Sequence, residues 1–128
     1  MNKVRRLSFV AGLSALFSLT VQAQGWQVPK PSPGLMLNPA VGKKLFEKHC
    51  ASCHGAALQG SDKGPPLLHR IYEPSHHADL AFQLAVKNGV RAHHWQFGDM
   101  APVPQVTPDD AAHITAYVRA EQRKVGIR

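Results

Sequence analysis

The chain has 128 residues with 15 lysines and arginines against 8 aspartates and glutamates, which gives a formal charge of +7. This length corresponds to one domain, and its two cysteines are too few to supply the paired Cys spacing of a structural zinc site. The basic residues form no dense stripe, so the charge does not indicate a nucleic-acid partner.

Residues 1–23 have the pattern of a signal peptide. Lys3, Arg5 and Arg6 form a basic start, residues 7–21 are apolar and uncharged, and small residues precede a cleavage position after Ala23. The apolar stretch is shorter than the ~20 residues of a spanning helix, although an uncleaved anchor stays an alternative. We expect export to the periplasm and no stable membrane span after cleavage. Without the three basic residues, 12 basic and 8 acidic residues remain, a net charge of +4.

Residues 24–37 form a proline-rich leader. Pro29, Pro31 and Pro33 interrupt any periodicity, so the segment reads as an extended linker or a docking arm. Asn38 followed by Pro39 then predicts a helix start, because asparagine caps helices and proline suits the first turn. Residues 38–128 therefore form the predicted domain, whose first helix leads directly into Cys50.

The pentapeptide at residues 50–54, Cys-Ala-Ser-Cys-His, carries the most specific chemistry. C-x-x-C-H is typical of covalent haem attachment. On a helix, Cys50 and Cys53 project from one face and can form thioethers to one edge of a porphyrin, while the imidazole of His54 binds the iron. A thioredoxin-like redox dithiol would require a strand–helix–strand setting that the sequence lacks. A plain disulfide would leave His54 without a role.

Two further helices are predicted beyond a Gly/Pro-rich loop. One begins around Ser75 and stops at Asn88 and Gly89; the other begins at Thr107, where a capping residue precedes a proline and two acids. Its apolar face contains Ala111, Ile114, Tyr117 and Val118. No convincing strand appears, so the fold class is all-α.

This arrangement resembles the class I cytochrome c family from about residue 39 to residue 124. Gly42 and Phe46 stand eight and four residues before Cys50, where the family has a glycine and an aromatic, and Ile114 and Tyr117 match its last helix. The resemblance implies a cytochrome c fold, with three main helices and loops around one covalently attached haem c. It also implies that the last helix crosses the first over Gly42.

The resemblance assigns two further site residues. The carbonyl of Pro65 corresponds to the acceptor for the Nδ1–H of the proximal histidine, His54. Met100 corresponds to the second axial ligand, whose thioether favours ferrous iron. Ala101 stands directly after Met100, where the family usually has proline. Tyr72 and Trp95 could reach the haem propionates through their O–H and N–H groups.

Histidines offer an alternative distal ligand. Five of them lie between the haem motif and Met100, namely His69, His76, His77, His93 and His94. The two pairs are expected to be solvated surface, with an exposed copper or zinc site as a less favoured possibility.

These features predict a monohaem electron carrier rather than an enzyme, since a six-coordinate haem leaves no open position for substrate. The carrier would be a free monomeric shuttle, or a subunit of a respiratory or other oxidoreductase system, with redox proteins as partners. The alternative is a ligand-binding or weakly peroxidatic haem protein with an open or bis-His distal site.

Overall fold

The computed structural model describes residues 27–128. The predicted signal peptide and residues 24–26 of the leader lie outside this range. The described part of the chain contains α1 (Pro39–His49), α2 (Ala51–His54), a 3₁₀ helix (Arg70–Tyr72), α3 (Asp79–Asn88) and α4 (Pro108–Lys124). Strand pairing within it is limited to one antiparallel bridge between Val90 and Met100. The predicted all-α class and its three longer helices are confirmed.

The first and last helices begin where the sequence predicts. The Asn38 carboxamide oxygen accepts the backbone N–H groups of Ala40 and Val41 at 2.9 and 3.3 Å. At α4, the Thr107 side chain accepts from the Asp110 N–H, while the Asp110 carboxylate accepts from the Thr107 backbone. This reciprocal capping satisfies donors that the first helical turn leaves unpaired.

The start of α3 differs from the prediction. The helix begins at Asp79 rather than near Ser75. The preceding residues form turns instead, in which the backbone N–H of His77 donates to the Glu73 carbonyl at 2.8 Å. Leu80, an apolar residue in the first turn of α3, is 44% exposed. Its position near the helix start places it beside the leader and not in the core.

The core forms where α1 crosses α4. A side-chain carbon at Gly42 would overlap the backbone carbonyl of His113, so only glycine permits this close approach. One turn further along, the rings of Phe46 and Tyr117 pack with centroids 5.7 Å apart. The predicted crossing over Gly42 is present. The buried apolar cluster consists of Phe46, Leu58, Leu67, Val106, Ala111, Ile114, Tyr117 and Val118.

The described part of the leader is fastened to the helical domain. Both the backbone N–H and the hydroxyl of Ser32 donate to the Asp109 carboxylate, at 2.6 and 2.8 Å. These two bonds hold the pKa of Asp109 below its usual value. Near the start of the segment, the Lys87 ammonium donates to the Gln27 carbonyl at 2.7 Å. Residues 27–37 therefore lie along α3 and α4.

Among residues 27–128, no helix combines the length and the apolar character needed to span a membrane.

Candidate haem site

The two cysteines lie at the junction of α1 and α2. Cys50 ends α1 and precedes α2, and its carbonyl accepts the N–H groups of Cys53 and His54 at 3.1 and 3.0 Å. This single helical turn brings both side chains to one side of the chain. Both are half-buried free thiols, and Cys50 packs against the apolar core.

The Cys50 thiol does not have the character of a redox nucleophile. Burial, with a smaller contribution from the nearby Cys53, raises its pKa to about 11. Reactive C-x-x-C motifs instead depend on a lowered thiol pKa that populates the thiolate. The environment of Cys50 therefore favours a role other than thiol–disulfide exchange.

The imidazole of His54 is oriented by the backbone of the following loop. Its Nδ1–H donates to the Pro65 carbonyl at 2.9 Å, which is the contact implied by the family resemblance. Burial lowers the pKa of His54, and this hydrogen bond opposes the effect only in part. The ring is therefore neutral at pH 7, with Nε2 left as its ligand atom.

Met100 is held through its backbone. Its N–H and C=O both bond to Val90, each at 2.9 Å. The Met100 carbonyl also lies so close to Gly89 that a side-chain carbon there would overlap it, and Gly89 has φ +73°. The residue is half-buried. By contrast, Met36 is 87% exposed in the leader.

An unpaired donor lies near this site. The indole Nε1 of Trp95 is buried and forms no hydrogen bond with the described residues. Burial raises the pKa of the neighbouring Tyr72, and a polar contact of its oxygen with this indole N–H, which does not amount to a hydrogen bond, lowers it by a smaller amount. A buried N–H without an acceptor costs roughly 1–3 kcal/mol. The carboxylate of a haem propionate would provide the missing acceptor.

Apolar side chains border the core without being fully covered. They come from α1, the loop after α2, the 3₁₀ helix, α3 and the segment after Met100: Leu45, Leu68, Tyr72, Phe82, Val86 and Val103. A haem would cover such side chains and contribute apolar surface to a small domain. Together with the two thiols, the oriented imidazole and the unpaired indole, they fit a covalently bound haem.

Sequence reasoning missed two polar residues that shape this region. Arg119 is only 6% exposed, pairs with Asp79 at 2.8 Å and donates to the carbonyls of Tyr72 and His77. Gln122 donates to the same Tyr72 carbonyl at 3.1 Å. Both continue the buried stripe of α4, since helical positions 111, 115, 118, 119 and 122 share one side. That spacing was the available signal, but the apolar face predicted for this helix did not include Arg119 or Gln122.

The histidines considered as distal ligands have contacts of their own. His69 accepts the N–H of Ile71 on Nδ1 at 3.2 Å, and its ring packs edge-on against Trp95. The rings of His93 and His94 lie 4.3 Å apart, and His94 also contacts His76.

These features define a helical c-type haem protein: a C-x-x-C-H turn, a histidine oriented by a backbone carbonyl and a methionine loop around one apolar core. The cytochrome c family model matches residues 39–121, and the chain belongs to this family. Membership implies haem c held through Cys50 and Cys53.

The curated relatives match this chain over less than half of its length. The cytochrome c subunit of the cytochrome bc1 complex of Mycobacterium bovis is 41% identical over 63 residues, which cover 48% of this chain and 21% of that protein. The corresponding Mycobacterium leprae subunit is 42% identical over 65 residues, covering 44% and 22%. The chain thus spans about a fifth of the length of these curated relatives. A solved structure, cytochrome cL of Methylophaga aminisulfidivorans, has a TM-score of 0.45 and 26% identity, covering 64% of this chain and 53% of that one.

Proposed function

We propose that this chain is a periplasmic monohaem cytochrome that carries single electrons, with His54 and Met100 as the axial ligands. The observation that carries the proposal is the hydrogen bond from His54 Nδ1–H to the Pro65 carbonyl, at 2.9 Å, beside the two half-buried thiols. This arrangement fixes the tautomer and the orientation of a neutral imidazole, as a metal-ligating histidine requires.

The bound haem supplies one-electron exchange between ferric and ferrous iron. The protein residues set the conditions for it: Cys50 and Cys53 anchor the group, His54 presents Nε2, and Trp95 offers a buried N–H to a propionate. The half-buried apolar side chains around the core exclude water. A rigid and dry site of this kind limits the reorganisation that accompanies electron transfer and favours the less charged ferrous state.

Three features support Met100 as the second ligand. It is half-buried, and its backbone is fixed by two hydrogen bonds to Val90. Met36, the other methionine among the described residues, is exposed in the leader. The histidines that compete for this role are engaged with one another or with Trp95. A thioether ligand would raise the reduction potential relative to a second imidazole.

The exposed lysines and the similarity to bc1 subunits both support redox proteins as the partners of this chain. The lysines near the haem motif are exposed, namely Lys43, Lys44, Lys48 and Lys63. They would steer an acidic partner surface in a salt-dependent manner. Because the named relatives are subunits of a cytochrome bc1 complex, a role as a subunit of a respiratory system is proposed beside that of a free shuttle.

The test of axial ligation is the visible and near-infrared spectrum of the haem-loaded protein, with Met100→Ala and Met36→Ala compared with wild type. We expect the weak near-infrared ferric band of an iron–thioether bond in wild type and in Met36→Ala, and its loss in Met100→Ala. Met36→Ala is the matched control, because the same chemical change falls on an exposed leader residue.

The same variants test the alternative of an open or bis-His distal site. Resistance of the reduced wild-type protein to carbon monoxide, and rapid binding by Met100→Ala, would support the carrier. A wild-type spectrum without the band, unchanged in Met100→Ala, would instead show that methionine is not the ligand. Rapid carbon monoxide binding by wild type would then favour the ligand-binding function.

A further inference from the structure

We propose that His76, His77 and His94 form a binding site for one divalent transition-metal ion, outside the haem site. Each of these residues offers one ring nitrogen, and the three nitrogens lie within 4.8 Å of one another. The sequence separates His94 from the other two by the whole of α3. Their convergence is therefore a property of the fold and not of the sequence pattern.

The spacing is close to that of a metal complex. The Nε2 atoms of His76 and His94 lie 3.2 Å apart. Two imidazole ligands of a tetrahedral zinc ion, each at about 2.0–2.1 Å, would have their nitrogens about 3.3 Å apart. Side-chain rotations would bring the third nitrogen to the same distance, because His76 and His94 are exposed.

His77 is the fixed member of the group. Its Nδ1–H donates to the Ile71 carbonyl at 2.5 Å, which leaves Nε2 as the ligand atom. Its own carbonyl accepts from the buried Arg119 guanidinium. An outer hydrogen bond that fixes the tautomer and the ring is typical of metal-ligating histidines.

The local charge permits a cation. Arg119 donates to the His77 carbonyl, and its positive charge is paired with the Asp79 carboxylate at 2.8 Å. Neutral imidazoles suit zinc and copper, and the general order of affinities places Cu²⁺ above Zn²⁺. Three ligands leave a fourth position for water at this exposed surface.

Binding would connect two loops. His76 and His77 precede α3, whereas His94 lies in the loop after α3 that ends in the Val90–Met100 bridge. An ion held by all three would therefore restrict the loop that carries Met100. The site requires that none of the three histidines ligates the haem iron, which is consistent with Met100 as the proposed ligand.

The test is equilibrium dialysis of the untagged, haem-loaded protein against Zn²⁺ after removal of metals with a chelator. Zinc is chosen because it cannot exchange electrons with the haem. Zinc and iron are both counted by atomic emission, and one Zn²⁺ per iron is expected. Replacement by glutamine in His76→Gln or His94→Gln should weaken the affinity at least about tenfold.

His93→Gln is the matched control. This neighbouring exposed histidine packs against His94 but does not belong to the group of converging nitrogens. Its affinity for Zn²⁺ should remain close to that of wild type. Equal losses in His93→Gln and His94→Gln would overturn the assignment, as would the absence of saturable binding in wild type.

Two further measurements separate the site from haem ligation. The near-infrared ferric spectrum of His94→Gln should equal that of wild type, since a change would place His94 on the iron instead. Zn²⁺ should slow amide hydrogen exchange in residues 91–99 of wild type but not of His94→Gln. Unaltered exchange in wild type saturated with Zn²⁺ would refute the link between the two loops.

Discussion

His54 and Met100 are both positioned through backbone hydrogen bonds, but these bonds control different parts of the two residues. The His54 bond to Pro65 acts on the imidazole itself, so the direction of the ligand atom is fixed. The bonds of Met100 to Val90 act on the main chain alone, and its thioether follows three rotatable bonds. The comparison indicates that the fold itself fixes the imidazole of His54, whereas the position of the Met100 sulfur depends on side-chain packing.

We expect the largest effect from removing the two thiols that attach the haem. We expect the Cys50→Ser/Cys53→Ser double variant to lose most of its far-ultraviolet circular dichroism and its cooperative melting transition. A chain of this size buries about 60–65% of its unfolded surface and is marginal alone. In addition, the apolar side chains bordering the core would stay partly exposed.

Ser52→Ala is the control for this experiment. It alters the exposed residue between the cysteines and keeps the C-x-x-C-H motif intact. We expect it to retain haem and a native spectrum. A double variant with the helical content of Ser52→Ala would show that the fold does not require haem.

A smaller but still large effect is expected from Gly42→Ala, which disturbs the helix that leads into Cys50. The added carbon would overlap the backbone of His113, and a backbone cannot rotate away. We expect a loss of about 3 kcal/mol or more in the free energy of unfolding, measured by guanidinium denaturation of the haem-loaded protein. The folded fraction should keep the ferric near-infrared band, because the Met100 side is not touched.

Gly126→Ala provides the matched glycine control. Gly126 has φ +82° and no heavy atom within 4 Å of an added carbon. Gly126→Ala should lower the free energy of unfolding by only about 1–2 kcal/mol, because alanine is disfavoured at a positive φ. If Gly42→Ala costs no more than Gly126→Ala, the close approach of α1 and α4 does not limit stability.

The two sides also differ in how far the sequence predicts them. The His54 side follows from local signals: the Asn38 cap, the C-x-x-C-H turn and the spacing of Gly42 and Phe46. The hydrogen bond to Pro65 was expected from the family resemblance and is present. Short-range geometry determines most of this side, since a helical turn sets the direction of its side chains.

The Met100 side depends on contacts between segments that are distant in the sequence. The periodicity of apolar residues does not predict such contacts. The turns at residues 73–77 delay the start of α3, and the buried guanidinium of Arg119 ties them to α4. The sequence indicated the histidine pairs only as a less favoured metal site, and it did not predict that His76 and His94 converge across α3. A buried arginine is predictable only when its carbonyl and carboxylate partners are known.

We expect the smallest effect from Pro65→Ala, which changes the residue that holds the His54 imidazole. The acceptor for His54 is a backbone carbonyl, so Pro65→Ala removes a ring but not the oxygen that holds the imidazole. Pro66 still follows, and a proline restricts the residue before it to extended backbone. We therefore expect an unchanged ferric spectrum and a loss of only about 0.4–1 kcal/mol in the free energy of unfolding, from the greater freedom of the unfolded chain.

Pro66→Ala is the matched control for this variant, because Pro65 then keeps its own fixed φ. Both variants should behave alike in guanidinium denaturation and in the ferric spectrum. A large spectral change in Pro65→Ala alone would show that the proline ring, and not the carbonyl, orients His54. The two ligand sides would then both depend on side-chain packing, and the contrast between a preorganised His54 and an adaptable Met100 would fail.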